Sequence, residues 1–330
     1  MHNLDTLLSG LRAAGEHTRL RILTLCSRGE LSVSELVQIL GQSQPRVSRH
    51  LKLMVEAGLL ERLPEGAQVY FRISDQDSSS SLAHALITLI PETDTLLIRD
   101  MSRLNQVRDS RAKKAQDYFQ QVAHSWNNIR ALHVPEQQLD ARLLDVIGDQ
   151  SIGDLLDIGT GTGRVLEILS DRISHGIGVD LNSGMLAIAR SNIEQAGLTH
   201  IHVRKGDMYQ LPMDDACTDL AILNLVLHYS DNPIDVILEA SRVLRTHGRL
   251  IIVDFAAHTE EYLRNDYKHF RLGFSDDEIL NCFEAAGLTA SLDTQQLVGD
   301  PLTVKIWHAQ KQSNIASINP SNTVAEKRSP

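Results

Sequence analysis

The sequence predicts an all-α N-terminal domain closed by a short hairpin, followed by an α/β domain on a mostly parallel sheet. Three observations predict it. Residues 32–73 alternate as helix, short turn, helix and two strands. The run Leu155-Leu156-Asp157-Ile158-Gly159-Thr160-Gly161-Thr162-Gly163 is an apolar strand ending in a carboxylate and three alternating glycines. A helical segment opens at Arg164, and from there strands and helices alternate to about residue 310.

At 330 residues, the chain has room for one domain of ordinary size and one small one. Its 42% apolar content is that of a globular protein. A formal charge of −10 excludes the whole chain as a nonspecific polyanion binder, so any contact with nucleic acid must be local. Cys26, Cys217 and Cys282 lie too far apart for a disulfide framework or a paired-cysteine site, which fits a reducing compartment. The first residues lack a basic leader pattern, and no apolar run reaches membrane-spanning length. The expectation is a cytoplasmic protein without membrane contact.

Four regions follow from composition. Residues 1–75 form the helical domain with its hairpin. Residues 76–134 form a helical linker, dimerisation and lid region that opens on a composition break and junction at Gln76–Ser81, with its serine run, and is interrupted at Pro91. Residues 135–310 form the α/β domain. Residues 311–330 are polar, rich in Ser and Asn, and read as a disordered tail.

Within the first region, Ser32-Val33-Ser34-Glu35 makes a capping box, and Val33, Leu36, Val37 and Leu40 keep helical spacing. Gly41-Gln42 ends that helix. A second begins near Ser43, with Pro45 in its first turn, where a missing N–H costs little. Val47, Leu51 and Met54 form its inner face, and no acid interrupts the cations from Arg46 to Lys52. Leu59–Leu63, Pro64-Glu65-Gly66 and Gln68–Ile73 then make strand, turn and strand, completing a winged helix-turn-helix. The segment from Ser43 to Lys52, followed by Glu56-Ala57-Gly58-Leu59, strongly resembles the ArsR-type family of bacterial transcription regulators. That resemblance covers about residues 4–74. It implies that Gln44, Arg46, Ser48, Arg49 and His50 face the major groove of a double-stranded operator, with Arg62 and Arg72 of the wing on phosphates. Many members sense metals through a Cys-x-Cys pair, but here Ser32-Val33-Ser34 stands at that place. Serine hydroxyls do not replace thiolates for soft metals, so no metal site is expected.

The glycine bend at 159–163 is the layout that holds a nucleoside-bearing cofactor. A dinucleotide fingerprint wants glycine at 164, which is arginine here. Asp157, ahead of the first glycine, suits a ligand with positive charge better than a pyrophosphate. The bend resembles motif I of class I S-adenosylmethionine (SAM) dependent methyltransferases, which implies a Rossmann-like, seven-stranded fold. The resemblance spans about 113–310 and is closest to the ubiquinone and menaquinone biosynthesis type. It implies cofactor contacts from Asp157, Gly159, Gly161 and Gly163. Asp180, with Leu181 after it, stands at the ribose, Asp207 and Met208 at the adenine, and Asn224 at the pocket wall. Tyr118, Phe119 and Trp126 resemble the family's lid.

Methyl transfer needs a base only when the acceptor must lose a proton. The candidates are His228 and Tyr229 after the fourth strand, and His258 and His269 further on. Asn224-Leu225-Val226-Leu227 lacks the prolines and tyrosine of nucleobase methylation, and two cysteines in this domain are too few for arsenite methylation. The expected function is a homodimeric DNA-binding regulator whose second domain binds SAM or S-adenosylhomocysteine, sensing it or methylating a small molecule. The alternative is a biosynthetic small-molecule methyltransferase whose N-terminal module only dimerises.

Overall fold

A computed structural model describes residues 4–65, 68–74, 77–91, 93–130, 135–291, 295–299 and 301–312, without the side chains at 65, 77–80, 112 and 114–130. The expected lid residues Tyr118, Phe119 and Trp126 therefore fall outside the described side chains, as residues 313–330 of the expected tail fall outside the described chain.

The first domain runs α1 (Leu4–Ala14), α2 (His17–Cys26), β1 (Leu31–Ser32), α3 (Val33–Leu40), α4 (Gln44–Glu56), β2 (Leu60–Glu65) and β3 (Gln68–Ile73). The capping box at α3 is complete: Ser32 N–H donates to Glu35 Oε2 at 2.8 Å, and Glu35 N–H donates to Ser32 Oγ at 3.4 Å. Gly41 ends α3 with φ +65°, a left-handed turn that glycine takes without strain. Val47, Leu51 and Met54 fix α4 onto Leu36 and Ile39 of α3, all at most 1% exposed. A three-stranded sheet in the order β1-β3-β2 closes the domain.

Two helices link the domains, α5 (Asp77–Leu89) and α6 (Thr95–Arg130), with Pro91 between them. The run Ser78–Ser81, read as part of a composition break and junction, lies near the start of α5. The second domain follows as α7 (Glu136–Ile147), β4 (Ile152–Ile158), α8 (Arg164–Ile168), β5 (Ile173–Asp180), α9 (Ser183–Gln195), β6 (Ile201–Lys205) and β7 (Thr218–Asn224). Then come α10 (Pro233–Val243), β8 (Leu244–Phe255), α11 (Tyr262–Tyr267), α12 (Asp276–Ala285), β9 (Leu288–Ala290), β10 (Gln295–Leu297) and β11 (Val304–Lys311).

The strand order is β10-β11-β8-β7-β4-β5-β6, a path of seven strands, with β9 also paired to β11. The strands from β8 to β6 pair in parallel, and β11 runs antiparallel to β8. This is a Rossmann-like methyltransferase fold. The order reverses between β4 and β7, which is where open α/β sheets place their ligands. β11 is the last strand in the chain and not the outermost in the sheet. It lies one place in, because β10 and β9 both pair on its outer side. Apolar layers cover both faces: Leu155, Ile222 and Val253 belong to one core, Leu156, Ala221 and Ile252 to the other.

Candidate functional site

The carboxyl ends of β4, β5, β6 and β7 gather the residues marked in the sequence. Gly159, Gly161 and Gly163 all have positive φ, at +74°, +53° and +82°. At Gly159 a Cβ would lie 2.4 Å from Val226 Cγ2, so only glycine lets the 224–229 segment close over the bend. Gly163 sits against Ala189 of α9, which ties the bend to that helix.

Asp157 lies beneath the bend and is 1% exposed. Thr160 Oγ1 donates to its Oδ2 at 2.6 Å, and its Oδ1 is buried without a partner. Burial, with the nearby Asp180 carboxylate, pushes its pKa up to about 7. Asp180 receives N–H groups from Gly161 at 2.9 Å and Asn182 at 2.8 Å, and burial raises its pKa against them. Leu181, next to it, is exposed. Asp207 is exposed and accepts from Tyr209 N–H, while Met208 packs on the neighbouring core. Asn224 closes β7 with its Oδ1 buried and unpartnered.

Beyond Asn224, a 3-10 turn at Leu227–Tyr229 carries His228 into the interior, 2% exposed. Its Nδ1 lies 2.8 Å from Asp254 Oδ1, and its backbone N–H donates to Asp254 Oδ2 at 3.1 Å. Phe255 N–H donates to the same carboxyl at 2.8 Å. The rings of Tyr229 and His269 stand 4.2 and 4.1 Å from the imidazole, centroid to centroid, and Phe255 stands 5.1 Å away. His258 packs edge-on against Phe255. Burial lowers the pKa of His269 to about 3 and lowers that of His258. Tyr229 is pushed up to about 12 by burial and by Asp254, so near neutral pH it stays a protonated phenol and is no base.

Sequence reasoning left Asp254 without a role. The signal was present: it ends an apolar strand in a carboxylate, as Asp157 and Asp180 do.

On α4, Gln44, Arg46, Ser48 and Arg49 are exposed. His50 is half-buried, with Nδ1 3.7 Å from Glu16 Oε2. On the wing, Arg62 is exposed. Arg72 corrects the sequence expectation: it is 8% exposed, and its Nε donates to Glu61 Oε2 at 2.9 Å. The cause is its pairing across the hairpin with Glu61, which the second domain also reaches. Arg204 of β6 reaches Glu61 at 3.5 Å, and the Arg190 guanidinium of α9 lies 4.3 Å from the Tyr70 ring centre, so this side of the wing faces the methyltransferase fold.

Arg111 of α6 fastens the two domains. Its Nε and Nη2 each donate to Glu35 at 2.6 Å, its Nη2 also donates to the Glu30 carbonyl at 2.9 Å, and its Nη1 donates to Glu194 of α9.

Comparison with known proteins agrees with both halves. Residues 156–252 match the family described as "Methyltransferase domain", and residues 16–62 match "Bacterial regulatory protein, arsR family". Among curated relatives, a malonyl-[acyl-carrier protein] O-methyltransferase of Marinomonas sp. is 26% identical over 185 residues, covering 54% of this chain and 66% of that protein. A demethylmenaquinone methyltransferase of Lactococcus lactis is 24% identical over 162 residues, covering 47% of this chain and 62% of its own. The chain thus spans somewhat less than two thirds of these relatives' length. The crystal structure of YcgJ from Bacillus subtilis aligns with a TM-score of 0.48 at 18% identity, over 54% of this chain and all of that one. The chain joins an arsR-family helix-turn-helix to a methyltransferase domain.

Proposed function

We propose that this protein is a cytoplasmic, homodimeric transcription regulator whose methyltransferase domain binds SAM or S-adenosylhomocysteine, sensing it or using SAM to methylate a small molecule. One observation carries the regulator reading over the biosynthetic one. Gln44, Arg46, Ser48 and Arg49 all stand exposed on α4, while Val47, Leu51 and Met54 anchor it. A module kept only for pairing subunits has no need of that uninterrupted basic surface.

The residues at the strand ends fit the cofactor. Asp157 Oδ1 and Asn224 Oδ1 are buried acceptors in want of donors, and an ammonium group answers the first. Asp180 is placed to receive ribose hydroxyls. SAM, when bound, supplies an electrophilic methyl group; Asp157, Asp180 and the bend bind and orient. No helix among the described residues is long and apolar enough to cross a membrane.

Pairing is supported by α1, where Leu4, Leu7, Leu8 and Leu11 are 71, 45, 39 and 42% exposed at helical spacing. A second copy offers the same stripe in return. Leu7→Glu with Leu11→Glu should shift the protein from dimer to monomer in sedimentation equilibrium. A dimer of unchanged strength would place the interface elsewhere.

The central test is Arg46→Ala with Arg49→Ala. Operator affinity should fall by roughly 1–3 kcal/mol per arginine, while calorimetric binding of S-adenosylhomocysteine stays at the wild-type value. Unchanged operator binding would favour the biosynthetic reading.

A further inference from the structure

We propose that His228 is a catalytic proton acceptor, that Asp254 positions it, and that the acceptor they serve is a neutral molecule whose reacting hydroxyl is weakly acidic, of the phenol or enol class. This rests on the reading that the domain binds SAM, and it extends that reading from sensing to turnover.

The geometry at Asp254 fixes the tautomer. Its carboxyl is fully buried and lies against two backbone N–H groups and His228 Nδ1. A ring nitrogen 2.8 Å from a carboxylate oxygen carries the proton. The neutral imidazole then presents its lone pair at Nε2, and that atom is buried with no hydrogen-bond partner. A buried base without a partner is costly to keep unless something arrives to use it.

The surroundings define what arrives. Tyr229, Phe255 and His269 pack around the imidazole as uncharged rings, His258 packs on Phe255 behind them, and both nitrogens of His269 and Nε2 of His258 are likewise buried without partners. A charged acceptor would lose its hydration there for no compensating ion pair. A neutral hydroxyl finds apolar faces and one strong acceptor. Val226, two residues before His228, packs on Gly159 of the bend.

In the step itself, the hydroxyl oxygen forms its bond to the methyl carbon, and the carbon–sulfur electron pair stays with sulfur, leaving a neutral thioether. The hydroxyl proton passes to Nε2. The imidazolium so formed is balanced by Asp254 and later gives its proton to solvent, so charge and atoms close.

The test uses the full chain saturated with S-adenosylhomocysteine and 4-nitrophenol as probe, below the probe's own pKa. Wild-type protein should bind the probe as phenolate, raising the phenolate fraction about tenfold over free probe. His228→Gln should bind it as the neutral phenol. With SAM in place of the product nucleoside, the same substitution should slow methylation of the probe by about 100-fold or more. Nitrogen-15 NMR of the wild-type protein should show the His228 proton on Nδ1, and Asp254→Asn should move it towards Nε2. A proton on Nε2 in the wild type, phenolate binding that survives His228→Gln, or no binding of the probe would each overturn the proposal. Failure of S-adenosylhomocysteine itself to bind in calorimetry would instead strike the underlying reading.

Discussion

Arg111→Ala should destabilise the protein by about 3–5 kcal/mol, the cost of removing one partner from a buried ionic network. The guanidinium is 14% exposed and holds Glu35, the Glu30 carbonyl and Glu194 at once. Burial opposes ionisation of Glu35, yet hydrogen bonds from Arg111 and Ser32 keep its carboxyl below the usual range. At Glu194 burial outweighs the same arginine, and the carboxyl titrates above its usual range. The arginine is thus committed first to Glu35, the residue that also completes the α3 capping box. Without it, two carboxylates are stranded at the junction, and α3 loses the orientation that seats α4. Denaturant unfolding measures the loss. Adding Glu35→Gln and Glu194→Gln to Arg111→Ala should recover part of it, because the stranded charges are then gone. A single variant within about 0.5 kcal/mol of wild type would mean that the domains are held by packing alone. In the proposed regulator, the same change should also make operator affinity indifferent to the nucleoside, since the clamp joins the helix ahead of the DNA reader to the helix that follows the ribose carboxylate.

Affinity for S-adenosylhomocysteine should rise about tenfold per pH unit up to about pH 7 and then level off. The cause is Asp157, whose pKa burial has lifted to about 7. A protonated carboxyl offers nothing to the ligand's ammonium group, so binding must first expel the proton, and each unit below the folded pKa costs a factor of ten. In the unliganded protein the sign is opposite. The folded state holds this proton more tightly than the unfolded chain, so Asp157 favours folding at acid pH, and that contribution is lost as pH rises through about 7. Calorimetry at pH 5.5 and 7.5 separates the cases, and Asp157→Asn should flatten the profile. Equal wild-type affinity at both values would remove Asp157 from the ligand's cationic end.

Local signals were legible in the sequence and distant ones were not. The capping box at Ser32, the stop at Gly41 and the strand-to-glycine bend at Asp157 each lie within a few residues, where backbone geometry and side-chain chemistry speak together. Arg72 reads as a wing cation because its neighbours in sequence say so. It is buried in an ion pair with Glu61, whose second partner, Arg204, comes from another domain. The Arg111–Glu194 contact joins residues 83 apart, and no periodicity reports such a pair. Asp254 stood in plain view as a carboxylate closing a strand, but its partner His228 lies 26 residues earlier, on a turn without periodic pattern.

β6 ends the sheet, and its His202 and Arg204 meet Glu30 and Glu61 of the winged-helix domain at 3.4 and 3.5 Å. A terminal strand stripped of its neighbour is a template for unwanted association between molecules. Cutting the chain ahead of residue 135 should therefore yield a fragment prone to clumping, even where every catalytic group survives. The winged-helix domain would in that case serve a second purpose, as a shield over the outer margin of the sheet.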